Sequence, residues 1–179
     1  GLSNEYVTSI FQDSKGYIWI GTKDGLNRFD GEKVKIYNCN AEDKNSLSST
    51  YINDIEEDVN GNIWIATDSG LDFLVTDSDT ITRMKDMETD KYNLGKLKIT
   101  SLLKSEQEEH IMWVGTEKGL IKVDVLKNKM EAFYHNENDS NSLANAYITC
   151  LENGDNNTLW VGTKRGVNLI DKDLKISEK

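Results

Sequence analysis

The sequence predicts an all-β protein, a β-propeller made of four-stranded antiparallel blades, with four blades in this chain. Two observations predict this fold. A motif centred on tryptophan recurs four times along the 179 residues, and each copy divides into four short β-type segments separated by turn residues. Repeats of this length with four strands each are typical of propeller blades, which bury their faces by stacking on one another.

The repeat is anchored by tryptophans spaced 45, 49 and 47 residues apart. A small residue follows each tryptophan at the second position, threonine at the third and glycine at the sixth. The third copy is the loosest, because two extra residues precede its tryptophan. The positions predicted to form the structural core of the repeat are Trp19, Trp64, Trp113, Trp160, Gly25, Gly70, Gly119 and Gly166.

The first predicted strand of each copy lies before the tryptophan, at 6–12, 51–57, 98–104 and 147–152. In the first two copies it ends at "DSKG" and "DVNG", where Asp first and Gly fourth indicate a tight turn. The second strand carries the tryptophan. The third follows the glycine as "LNRF", "LDFL", "LIKV" and "VNLI", and the fourth is "KVKIYN", "TITRMK", "KMEAFY" and "LKIS". These segments are rich in residues that favour strands.

The second strand shows why a large aromatic residue stands so close to two glycines. In "YIWIGT", alternation places Ile18 and Ile20 on one face of the blade and Trp19 on the other, so both faces need burial. We therefore expect the tryptophans to fill the space between blades. Gly21 would leave room for a side chain of the neighbouring blade, and Gly25 suits a turn position with positive φ.

The predicted domain organisation is one propeller region over 1–179, with blades at about 1–38, 47–85, 97–134 and 143–177. The sequence leaves its closure open between a partial propeller, a closed four-bladed ring and half of an eight-bladed dimer. A four-bladed arc would expose two blade faces, which favours self-association.

Composition excludes several classes of partner and chemistry. The net charge of −10 argues against a nucleic-acid or anionic-membrane surface. No apolar run approaches the ~20 residues of a membrane span, and no targeting signal is expected in this segment. Cys39 and Cys150 lie far apart without metal-ligand or redox spacing. We expect no cofactor, no metal and no membrane contact by this segment.

A ligand is expected at the face that carries the long connections, at 39–50, 86–97 and 135–146, because long polar connections are where binding sites usually lie. The predicted ligand-binding residues there are Tyr6, Tyr51, Tyr147, Lys23, Asp68, Glu117 and Arg165. The tyrosine rings could stack on a sugar, or instead close the loop against the next blade. No catalytic residue is predicted, since there is no nucleophile motif and His110 and His135 occupy different repeat positions.

Two segments carry a family resemblance. "LSNEYVTSIFQDSKGYIWIGTKDGLNRFDG" and "INDIEEDVNGNIWIATDSGL" resemble the two-component regulator propeller repeat. The resemblance implies the extracytoplasmic (periplasmic or cell-surface) sensor region of a membrane-spanning signalling protein such as a hybrid histidine kinase. Many such sensors respond to polysaccharide fragments, and they usually contain more repeats than the four present here.

The sequence thus predicts a non-catalytic sensory propeller that binds an oligosaccharide or another small ligand. Its expected protein partners are a second copy of the chain or adjoining blades of a longer one, and no nucleic acid. Two alternatives stay open: a propeller enzyme such as a polysaccharide lyase or glycosidase, and a structural self-association module.

Overall fold

A computed structural model describes residues 1–84 and 93–179. Sixteen β-strands form four separate antiparallel sheets within these residues, and no helix is found among them. The chain divides into two compact units, Gly1–Ile99 and Thr100–Lys179. The predicted end of the second blade at residue 85, and residues 86–92 of the predicted connection 86–97, lie outside the described residues.

The first unit contains two sheets of the same design. The first sheet consists of β1 (Val7–Gln12), β2 (Ile18–Thr22), β3 (Gly25–Phe29) and β4 (Val34–Tyr37). The second consists of β5 (Ile52–Glu57), β6 (Ile63–Thr67), β7 (Gly70–Val75) and β8 (Thr80–Arg83). Strands that follow one another in the chain are neighbours in the sheet and run antiparallel, as in a propeller blade.

The second unit repeats this design in the third and fourth sheets, although the first strand of the third sheet begins at the last residue of the first unit. The third sheet consists of β9 (Ile99–Lys104), β10 (Ile111–Thr116), β11 (Leu120–Asp124) and β12 (Lys129–Phe133). The fourth consists of β13 (Ile148–Gly154), β14 (Thr158–Thr163), β15 (Gly166–Ile170) and β16 (Ile176–Glu178). The predicted all-β fold with four four-stranded blades is confirmed.

The core of the first unit lies between its two sheets. Trp19 and Leu26 of the first blade are fully buried in one apolar cluster with Ile63 and Ile65 of the second. The tryptophan therefore projects from one face of its strand, and the isoleucines that flank the next tryptophan meet it from the neighbouring blade. Gly21 is needed at this contact, because a Cβ there would lie only 2.7 Å from Cγ2 of Ile52.

The core of the second unit has the same arrangement. Trp113 of the third blade is buried with Leu143, Ile148, Leu159 and Val161, which belong to the fourth blade and to the connection before it. Burying apolar surface of this extent is the main stabilising term for such sheets, about 25 cal/mol for each Å² removed from water.

The fourth tryptophan departs from the expectation of an inter-blade position. Trp160 is 39% exposed, whereas Trp19 is fully buried and Trp64 is 3% exposed. Val167, which pairs with Gly162 two residues after Trp160, is exposed as well. The physical reason is that, within the second unit, the other sheet packs against the opposite face of the fourth blade, where Leu159 and Val161 point. Whether this exposed face supports self-association stays a prediction.

Two aspartates tie the first turn of a blade to its tryptophan. Asp13 Oδ1 accepts hydrogen bonds from the backbone N–H groups of Lys15 and Tyr17, and its Oδ2 accepts one from Trp19 Nε1 at 2.7 Å. Asp58 forms the same bonds in the second blade, with Trp64 Nε1 at 3.0 Å. The predicted tight turns are present, and their aspartates also satisfy a buried indole N–H group.

Candidate functional site

The candidate face begins with a β-bulge at the start of the first strand. In the first blade Val7 pairs with Thr22 but Ser9 pairs with Gly21, so Thr8 is an extra residue without a cross-strand partner. The same shift occurs at Asn53 in the second blade and at Thr149 in the fourth. Bulges redirect side chains and are frequent beside binding sites.

The loop between the second and third strands is shaped by the threonine that follows each tryptophan. Thr22 Oγ1 accepts a hydrogen bond from Asp24 N–H at 3.0 Å and donates one to the carbonyl of Gly25 at 3.0 Å. The bond to the glycine carbonyl recurs at Thr67, Thr116 and Thr163. The glycine of this loop has φ of +113° at Gly25, where a Cβ would lie 2.6 Å from a carbonyl oxygen.

Backbone hydrogen bonds bring the predicted tyrosines and the predicted loops together. The amide of Lys23 donates to the carbonyl of Tyr6 at 3.2 Å, and the amide of Asp68 donates to that of Tyr51 at 3.3 Å. In the second unit the amide of Lys164 donates to the carbonyl of Tyr147 at 3.1 Å. Each tyrosine therefore stands beside the loop of its own blade.

Lysine ammonium groups cover one face of two of these rings. Lys23 Nζ lies 3.6 Å from the ring centroid of Tyr6, and Lys164 Nζ lies 3.7 Å from that of Tyr147. At this distance the ammonium is attracted by the ring quadrupole, an effect worth about 0.5–1 kcal/mol at an exposed site. Lys164 occupies the position over the ring, while Arg165 beside it is exposed and bonds through its amide to Thr163 Oγ1.

In the second blade a lysine also lies near the tyrosine ring, but it comes from a different position in the chain. Asp68 stands where the first blade has Lys23, and its Oδ1 accepts from Asn53 Nδ2 at 2.9 Å and from Lys98 Nζ at 2.9 Å. Lys98 Nζ also lies 5.8 Å from the Tyr51 ring. Sequence reasoning missed Lys98, although the repeat alignment carried the signal, because Lys98 replaces tyrosine at the head of the third blade's first strand.

Asp72 is a buried carboxyl group below this face. Its Oδ2 accepts from the amide and the hydroxyl of Ser48 at 2.7 and 3.0 Å, while Oδ1 is buried without a hydrogen-bond partner. Burial raises the pKa of Asp72 from 3.8 to about 6, although the Ser48 bonds and the charge of Arg83 act in the opposite direction. Asn27 and Asn168 hold the aligned positions of the first and fourth blades.

Of the remaining predicted residues, Glu117 is half-buried on the loop after β10. A charged pocket that sequence reasoning missed lies at the opposite end of the third blade. Its volume is about 550 Å³, and its lining includes Glu108, His110, Lys122 and Asp124. The signal for it was the pair of extra residues before Trp113, which lengthens the turn that supplies Glu108 and His110.

Over residues 1–84 and 93–179, no group of three or more His, Cys, Asp or Glu side chains is placed to hold a metal ion. Cys39 and Cys150 are both free thiols. Among the described residues there is also no helix with the length and apolarity of a membrane span.

Comparisons with known proteins define the class of this fold. The chain matches the extracellular domain of a hybrid two component system from B. thetaiotaomicron with a TM-score of 0.83 and 26% identity, over 100% of this chain and 25% of that one. The extracellular domain of a one component system from the same bacterium matches with a TM-score of 0.77 and 22% identity, over 99% and 25%. Streptogramin B lyase shares the fold at 18% identity and a TM-score of 0.68, over 97% and 54%.

Three segments of the chain match a known repeat. Residues 1–24, 46–69 and 142–165 match the family model of the two component regulator propeller, so these three segments carry that repeat. It is also 54% identical over 48 residues to histidine kinase P4 of Formosa agariphila, which is 27% of this chain and 4% of that protein. The chain thus spans only a small part of the length of the kinase and a quarter of the two extracellular domains.

Proposed function

We propose that this chain is a non-catalytic part of the extracytoplasmic sensor propeller of a two-component-type signalling protein. The observation that carries this proposal is the likeness to an extracellular domain of a hybrid two component system, which extends over the whole chain at 26% identity. The family repeat and the segment shared with a histidine kinase support the same role. In such a protein, ligand binding would bias an output domain by favouring one of two states.

We propose further that the ligand is an oligosaccharide that contacts the tyrosine-bearing face. Aromatic rings next to ammonium, carboxylate and amide groups offer the stacking surface and the hydrogen-bond partners that a sugar ring uses. Tyr6 and Tyr51 supply the rings in the first unit, and Tyr147 supplies one in the second. Tyr6 is 55% exposed. The lysine over a ring would move aside when a sugar stacks there.

The experiment is a thermal-shift screen of the chain against neutral and acidic oligosaccharides, followed by calorimetric titration of each compound that raises the melting temperature. Tyr6→Ala should weaken binding about tenfold, or about 1.4 kcal/mol, because it removes the apolar ring surface on which the sugar stacks. Lys33→Ala is the matched control, since Lys33 is exposed on the turn at the other end of the same blade. Unchanged affinity of Tyr6→Ala, or a melting temperature that no glycan raises, would contradict the proposal.

A further inference from the structure

Two connections between blades share one pattern of hydrogen bonds. The first is "NAEDKNSL" at 40–47, which we call the first loop, and the second is "NENDSNSL" at 136–143, the second loop. In the first loop Ser46 Oγ donates to the carbonyl of Asn40 at 2.8 Å, and in the second Ser142 Oγ donates to that of Asn136 at 3.0 Å. Six bonds donated by backbone amides correspond as well, within about 0.2 Å. In the first loop Ser46 Oγ also lies 2.7 Å from the carbonyl of Asp43.

The first loop binds a guanidinium group. Arg83 Nη2, which carries two hydrogens, lies 2.9, 3.0 and 3.0 Å from the carbonyl oxygens of Asn40, Asp43 and Leu47 and 2.8 Å from Ser46 Oγ. Its Nε donates to the carbonyl of Ser46 at 2.9 Å. The loop therefore presents a ring of oxygens whose spacing suits N–H donors on a cation. Ser46, which contacts the Arg83 guanidinium group, is only 9% exposed.

In the second loop a carboxylate takes the place of the arginine. Arg83 pairs with Asp72 across the second sheet, and Glu178 pairs with Asn168 at the aligned position of the fourth. Glu178 lines a cavity of about 380 Å³ together with Asn136, Asp139 and Ser142. His135 Nδ1 lies 2.6 Å from the carbonyl of Leu143 and so takes one contact that Arg83 makes in the first loop. Glu178 thus brings a negative charge to the cavity that the second loop lines.

We infer that the second loop, with Glu178, is a binding site for a guanidinium group that comes from outside this chain. The loop oxygens present the hydrogen-bond acceptors that hold Arg83 in the first loop, and Glu178 adds the carboxylate with which a guanidinium forms a paired ion bridge. The source is either a small guanidinium compound or an arginine side chain of a protein. This inference is independent of the proposed sugar site, which lies on the tyrosine-bearing loops.

The test is an amide NMR titration of the whole chain with methylguanidinium. Amides 136–143 and that of Glu178 should shift and saturate, while amides 40–47 stay unmoved because Arg83 already fills that ring. Glu178→Gln should weaken the interaction about fivefold, as expected for loss of an ion pair at the surface. Glu178→Arg should abolish it, and the aligned pairing predicts that the new side chain takes the place that Arg83 holds in the first loop.

Two peptide arms separate the sources. Binding of Gly-Arg-Gly that is tighter than that of methylguanidinium, with Gly-Lys-Gly much weaker, supports an arginine on a protein. Equal binding of the peptide and methylguanidinium supports a small free cation. Shifts that are equal in the two loops, shifts that persist in Glu178→Arg, or a response to CaCl₂ without one to methylguanidinium would each overturn the inference.

Discussion

The second and fourth blades are copies of one repeat, yet they treat their tryptophans differently. Trp64 is 3% exposed and donates its indole N–H to Asp58 at 3.0 Å. Trp160 is 39% exposed, and the residue that aligns with Asp58 is Gly154. A Cβ at Gly154 would lie 3.1 Å from Cδ1 and Nε1 of Trp160, so the ring lies close over the glycine.

In these two blades the buried indole has an aspartate as its acceptor, and the exposed indole has a glycine at the aligned position. A buried N–H group needs an acceptor within the protein, whereas an exposed one can donate to water. The third blade is an exception, because Trp113 is buried at 6% exposure although Ser105 stands at the position of the aspartate. The same two blades differ at a second buried position, which is Asp72 in the second blade and Asn168 in the fourth.

The largest expected effect compares the tryptophans directly. Trp64→Ala should lower the free energy of unfolding by about 3–5 kcal/mol, since it removes a buried ring and leaves a cavity. Trp160→Ala should cost only about 1–2 kcal/mol, because much of that ring already contacts water. Urea unfolding followed by circular dichroism measures both. Equal losses would show that the Trp160 ring is as buried in solution as the Trp64 ring.

The next effect concerns the aspartate. Asp58→Ala should cost about 2–3 kcal/mol, because it leaves the buried Trp64 indole and two backbone N–H groups without their acceptor. The matched control is Asp155→Ala in the corresponding turn of the fourth blade, where the side chain is exposed. That variant should change the unfolding free energy by at most about 0.5 kcal/mol. Equal losses of unfolding free energy in Asp58→Ala and Asp155→Ala would contradict the inference that the buried Trp64 indole depends on its aspartate acceptor.

The third effect is a gain in stability that depends on pH. Asn27 shows what an amide does here: its Oδ1 accepts from Ser3 N–H, and its Nδ2 donates to Ser3 Oγ and to the carbonyl of Ile20. Asp72→Asn would restore the donor that a carboxylate lacks. With the pKa of Asp72 raised from 3.8 to about 6, the gain should be about 1–3 kcal/mol near neutral pH.

The sign follows from proton linkage. Because the folded-state pKa is raised, ionisation disfavours folding, so the wild-type chain loses stability as the pH rises from about 4 to about 6 and keeps that loss above it. The advantage of Asp72→Asn should therefore be small near pH 4 and complete above pH 6. Asn168→Asp is the reciprocal variant and should be destabilised over the same range. A pH-independent difference between Asp72→Asn and wild type would contradict the linkage.

Much of the fold was predictable because the repeated motif depends on interactions between residues only a few positions apart. Turn residues such as Asp13 and Gly16 act within a few positions, and alternation along "YIWIGT" assigns faces to side chains without knowledge of the partner. The predicted tyrosines and their loops were also brought together, since each pair belongs to one blade. Lys98 was missed because its partners Asp68 and Tyr51 belong to the preceding blade.

The sequence by itself determined the strands, the turns and which side chains share one face of a blade, because these follow from periods and spacings of a few residues. Only the tertiary structure decided which tryptophan is covered, that Asp72 lies buried with an unpaired oxygen, and that Arg83 fills the oxygen ring of the first loop while Glu178 lines the cavity of the second. Burial and charge pairing depend on contacts between residues distant in the chain, so four similar copies of one motif acquire four different environments.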